Sequence, residues 1–76
     1  MPRIVPISSR TLIAAFQKAG FHLVRTEGDH FVMTKPGVPR PLVIPLRKDV
    51  PVFIIRNCIR SAGLSREEYF RLLETV

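Results

Sequence analysis

Two histidines, one cysteine and twelve Lys or Arg side chains are the groups in this 76-residue chain that could do chemistry or hold a charged ligand. His30 is the better placed histidine. It follows Gly28-Asp29 at the head of a strand-like run and alternates away from Phe31 and Met33, toward solvent. An imidazole titrates near neutral pH, so it can carry a proton during cleavage of a phosphodiester. RNA brings its own nucleophile in the 2′-hydroxyl. One histidine, with cations to stabilise the charged phosphorane, then suffices without a metal. Spacing alone leaves a plainer reading open, a strand-end histidine with no role, and by itself favours it. His22 precedes Leu23 with no neighbour that suggests a site. Neither histidine falls at metal-ligand spacing with a cysteine or carboxylate, and a single cysteine excludes an internal disulfide and a Cys-based zinc cluster. No Gly-rich phosphate loop or nucleophile elbow is present. We therefore expect no metal and no other cofactor.

The cations outnumber the acids by twelve to six, a formal charge of +6. So large an excess on so short a chain favours a polyanionic partner: nucleic acid first, an acidic protein second. A general contribution to solubility is the plainer alternative. Arg25, Lys35, Arg40, Arg47, Lys48, Arg56 and Arg60 are the candidate phosphate contacts. Arg56 and Arg60, four residues apart, share one helical face opposite Ile55 and Ile59. Phe53 lies on or near that polar stripe, where it can stack on a base, dock a partner, or pack the start of the helix. Cys58 belongs to the apolar stripe and reads as a core residue. No segment has the apolar run of a spanning helix, and the N-terminus lacks the apolar core of a signal peptide. We expect a cytoplasmic protein with no membrane partner.

The elements that must position these groups are legible in the pattern. The apolar fraction, 46%, allows one core, and the length allows one domain over residues 1–76. Residues 1–7, with two prolines, predict an extended arm. Ser8 or Ser9 caps a first helix with Leu12, Ala15, Phe16 and Ala19 on one face, and Gly20 stops it. Phe21 to Thr26 and His30 to Thr34 read as strands joined by the Glu27-Gly28-Asp29 turn, with Gly28 supplying positive φ just before His30. Arg40 to Pro45 is a third strand whose prolines suit a sheet edge. Pro51 fits the first turn of a second helix, with Ile55, Cys58, Ile59 and Ala62 on its buried face and Gly63 at its end. Ser65-Arg66-Glu67-Glu68 is a capping box for a third, with Phe70 and Leu73 expected to be buried. The fold class is α+β, ordered α-β-β-β-α-α, with a three-stranded antiparallel sheet covered by helices on one face.

Two runs carry a resemblance to a known family. Ala19-Gly20-Phe21, Val24-Arg25 and Gly28-Asp29-His30 are similar to the AGF, VR and G-S-H segment of the HicA, or YcfA-like, toxins of toxin–antitoxin systems. Ile59-Arg60-Ser61-Ala62-Gly63-Leu64-Ser65, followed by Glu67-Glu68-Tyr69-Phe70, resembles the family's R-x-A-G-L-S-x-E-E-F ending. The resemblance runs from about Ser8 to Leu73. It implies a fold like that of double-stranded-RNA-binding domains, a metal-independent endoribonuclease activity on mRNA, and a HicB-like antitoxin that masks the histidine. The family's catalytic histidine falls on His30. Two positions depart from the family. Asp29 stands where Ser is usual, and strand alternation would put its side chain on the opposite side from His30. Val50-Pro51-Val52-Phe53-Ile54 replaces K-P-G-T-L. Phe53 and Ile54 exceed what the buried stripe requires, so at least one is expected at the antitoxin interface.

Overall fold

A computed structural model describes residues 3–76; Met1 and Pro2, the start of the expected arm, lie outside the described residues. The order is α1 (Ser9–Lys18), β1 (His22–Glu27), β2 (His30–Thr34), β3 (Leu42–Pro45), α2 (Val52–Ala62) and α3 (Arg66–Leu73). Ser8 caps α1, its hydroxyl accepting from Thr11 N–H at 3.2 Å. Gly20, at φ +97°, lets the chain leave: Phe21 N–H donates to the Phe16 carbonyl and Gly20 N–H to that of Gln17. This closure brings the Phe21 ring edge-on to Phe16, with centroids 5.7 Å apart. Phe21, expected to open β1, is instead a buried residue of the connection between α1 and β1. α2 starts one residue later than expected: Pro51 is its cap, because a residue at ψ 147° lies outside the helix.

The sheet is antiparallel in the order β1-β2-β3, so the proline-flanked β3 is an edge strand, as the prolines required. Pairing is regular between β2 and β3. Between β1 and β2 it slips once: Leu23 opposes Met33 but Arg25 opposes Val32, which makes Val24 an extra residue. This bulge reverses the alternation beyond it. Leu23 shares the core face with Met33 and Leu42, whereas Arg25 and Glu27 share the outer face with Val32 and His30.

Met33, Leu42 and Ile44 from the sheet meet Leu12 and Phe16 of α1, Ile55, Cys58 and Ile59 of α2, and Tyr69 of α3 in one core. α1 and α2 pack on the sheet and α3 packs on α1. In α3 the fully buried side chain is Tyr69, while Phe70 and Leu73 are only partly buried. Its start is the predicted capping box, with Ser65 and Glu68 each accepting from the other's backbone N–H. These hydrogen bonds hold the Glu68 carboxyl below its usual range.

Candidate functional site

His30 stands at the end of β2 where the chain has just turned. Gly28 takes φ +58°, and a Cβ there would meet nothing within 4 Å, so conformation rather than space calls for glycine. The Asp29 carbonyl accepts from Leu46 N–H at 2.6 Å, which extends the β2–β3 ladder one step past the His30–Pro45 pair. The backbone on both sides of the imidazole is thereby fixed. Its Nδ1 lies 2.9 Å from Asp29 Oδ1, and about half of the ring's side-chain surface stays exposed. Strand alternation does not govern this pair, because Asp29 belongs to the turn and lies outside the pleat. The carboxylate therefore turns back onto the histidine that follows it.

On the outer face of the sheet, His30's cross-strand neighbours are Glu27 on β1 and Pro45 on β3. The Glu27 carboxylate is engaged by Arg25 Nε. Toward α2, His30 borders a cleft of about 470 Å³. Leu42, Val43 and Pro45 form one wall; Ile54, Asn57, Cys58 and Ser61 form the other, and Arg47 is the cation that lines it. Asn57 and Ser61 offer an amide and a hydroxyl to the cleft. Burial pushes the Cys58 thiol up to about 11, so it stays neutral and suits the apolar stripe.

Arg47 is placed by Ser9, a residue that the sequence pattern marks only as a candidate helix cap. Ser9, 3% exposed, donates its N–H to the Arg47 carbonyl at 3.0 Å and accepts Arg47 N–H on its hydroxyl at 3.3 Å. Val50 N–H donates to the Ile7 carbonyl at 2.7 Å in a short antiparallel bridge, so the loop before α2 is pinned at two points. Nothing in the local sequence signals this contact, because the partner lies 38 residues away.

The other candidate cations divide. Lys48 is exposed in Arg47's loop, and Arg56 and Arg60 lie on the exposed face of α2 with Phe53, which is 66% exposed. Arg40 is exposed in the connection between β2 and β3. Arg25 shares His30's face but is tied to Glu27. Lys35 is half-buried: its ammonium lies 5.8 Å from the Phe21 ring centroid, and its stem runs against Gly20, at the other end of β2 from His30. His22 is at the far end of β1, paired with Thr34. Ile54 is partly buried against the core and lines the cleft.

Among the described residues, no group of three or more His, Cys, Asp or Glu side chains could hold a metal ion, and no helix is long and apolar enough to cross a membrane. The family model for the HicA toxin of bacterial toxin–antitoxin systems matches residues 9–64. No curated protein matches the chain. The matched stretch opens at Ser9, the serine that clamps Arg47. It takes in α1, the whole sheet with His30, and α2, and so covers well over half of the 76 residues. The chain belongs to the HicA toxin family of bacterial toxin–antitoxin systems.

Proposed function

We propose that the protein is the RNA-cleaving toxin of a HicA/HicB-type pair, an endoribonuclease that uses His30 and no metal. The observation that carries this reading is the cleft that His30 and Arg47 line together. A phosphodiester at its mouth meets an imidazole able to move a proton and a guanidinium able to hold non-bridging oxygens. The 2′-hydroxyl loses its proton and attacks the adjacent phosphorus, the P–O5′ bond breaks, and the 5′-oxygen leaves as a protonated hydroxyl. His30 moves one of these protons as general acid or base, water moves the other, and Arg47 stabilises the charge that develops. The nucleotide beside the cut rests on Pro45 and Val43, where Asn57 and Ser61 supply hydrogen bonds to its edges. Lys48, Arg56 and Arg60 hold phosphates further along the strand. Phe53, exposed beside Arg56 and Arg60, is the apolar anchor for a HicB-like antitoxin. That partner silences the toxin by covering this side of α2 and the histidine beside it.

The test is cleavage of mRNA by the purified protein in excess chelator, followed by the same assay on His30→Ala. Wild type should cut and leave a 2′,3′-cyclic phosphate or its hydrolysis product. General acid–base catalysis contributes about 10²- to 10⁴-fold, so the variant should lose at least that much while still binding RNA and antitoxin. It should also relieve growth arrest. His22→Ala is the control and should cut nearly as wild type. A loss of only about twofold in His30→Ala would remove this histidine from the mechanism. If wild type cleaves no RNA but binds it, the protein is a binding module of the same fold.

A further inference from the structure

The turn that delivers His30 also delivers a carboxylate to it. Nδ1 and Asp29 Oδ1 are 2.9 Å apart, in ion-pair contact and within reach of an Nδ1–H that turns toward the carboxylate. Asp29's own backbone is fixed by the 2.6 Å hydrogen bond from Leu46 N–H, so the carboxylate starts from an anchored residue. The other charged and titratable groups around the ring are already committed elsewhere or point to other work. Glu27, across on β1, is engaged by Arg25; Pro45, across on β3, has nothing to titrate. From the cleft come Arg47, a cation, and Cys58, a neutral buried thiol. Asp29 is the carboxylate left for the histidine.

We propose that Asp29 is a positioning residue for His30: its carboxylate holds Nδ1–H, fixes the ring, and leaves Nε2 as the nitrogen that moves the proton in the cleft. Of the two nitrogens of a neutral imidazole, one carries hydrogen, and a hydrogen bond to one decides which. A free ring divides between tautomers and orientations, and only part of that population can act on a phosphate at a fixed position. An anchored acceptor removes the choice before substrate arrives. Asp29 exerts a second, opposite effect. Its negative charge beside the phosphate path weakens RNA binding, so it favours turnover at the expense of affinity. This inference rests on the reading that His30 moves the proton.

Because the two effects have opposite signs, Asp29→Ala separates them. The side chain is 77% exposed, so the variant should fold, as circular dichroism will verify. Single-turnover cleavage and RNA affinity are measured for wild type, Asp29→Ala and Asp29→Asn, alongside His30→Ala. Loss of orientation should slow cleavage by Asp29→Ala roughly 10- to 100-fold. Its RNA affinity should equal or exceed that of wild type. Asp29→Asn can offer its amide N–H to Nδ1 and favour the Nε2–H ring, so it should be as slow as Asp29→Ala or slower. Nitrogen-15 NMR of the neutral ring should show hydrogen on Nδ1 in wild type and a shift toward the Nε2–H form in Asp29→Ala. A purely structural role would not move that tautomer balance. Wild-type cleavage by Asp29→Ala, with His30→Ala inactive, overturns this proposal alone. An Nε2–H ring in the wild-type protein overturns it whatever the rates. Cleavage that survives in His30→Ala overturns the catalytic reading and this role with it. If Asp29→Ala binds and cleaves better, the carboxylate is only a repulsive charge, and the proposal is wrong.

Discussion

Tyr69 carries an unusual burden for a single side chain. It is 1% exposed, its ring packs at 5.4 Å from that of Phe70, and its hydroxyl has no hydrogen-bond partner among the described residues. Burial pushes that hydroxyl up to about 12. The ring contributes through apolar burial, whereas the oxygen gives up its water and gains no bond in return. Tyr69→Phe should therefore leave the protein as stable or more stable, by about 1 kcal/mol, read as a rise in melting temperature. A clear loss of stability would mean that the hydroxyl is satisfied by a buried water or by movement of a neighbour. Sequence pattern missed Tyr69 and favoured Phe70 and Leu73, because residue type marks a phenol as amphipathic. Only the way α3 packs on α1 decides which side of the helix is buried.

At the level of elements, the loop before α2 matters more than its length suggests. It holds Arg47 at the cleft, and it is pinned by Ser9 on α1 and by the Ile7–Val50 bridge. Ser9→Ala keeps the backbone contact from residue 9 to the Arg47 carbonyl but removes the acceptor for Arg47 N–H. It should cost about 1 kcal/mol. In a domain of this size that lowers the melting temperature by about 4–8 °C. Cleavage by the folded variant should fall with it, since Arg47 is less well held. An unchanged melting temperature would show that the hydroxyl contributes nothing to the loop. The six elements and their order follow from caps, glycines and apolar spacing, each a local signal. The non-local facts do not. Ser9 meets Arg47 across 38 residues, and the bulge at Val24 brings Arg25 and Glu27 round to His30's face. Neither can be read from spacing, because each depends on which strand or loop becomes the neighbour. The same holds for Asp29: strand alternation describes residues within the pleat, and this one lies just outside it. Asn57 and Ser61 carry no sequence signal for a related reason, since nothing local marks a polar helix residue as the wall of a cleft.

Over the whole molecule, an excess of +6 on 76 residues is useful to RNA binding only where the cations are free to meet phosphate. Arg25 is already paired with Glu27, and Lys35 lies along Phe21 and Gly20 at the other end of β2 from His30. Among the described residues Arg56 and Arg60 show no ion pair, and they are exposed on the side of α2 that carries Phe53. Each phosphate neutralised by a lysine or arginine releases a counterion, so RNA affinity measured without antitoxin should fall steeply as salt rises. Arg56→Ala with Arg60→Ala should reduce the slope of log affinity against log salt by about two, one per lost contact. Arg25→Ala should change it less, because the guanidinium is already engaged by the Glu27 carboxylate and is not free to meet phosphate. Lys35→Ala should leave it nearly unchanged. Flat affinity between low and moderate salt would place RNA away from the basic surface altogether. An equal effect from all four substitutions would mean that the excess acts as a diffuse field. The predicted order, with the α2 pair largest and Lys35 smallest, distinguishes a phosphate track along α2 from that general attraction.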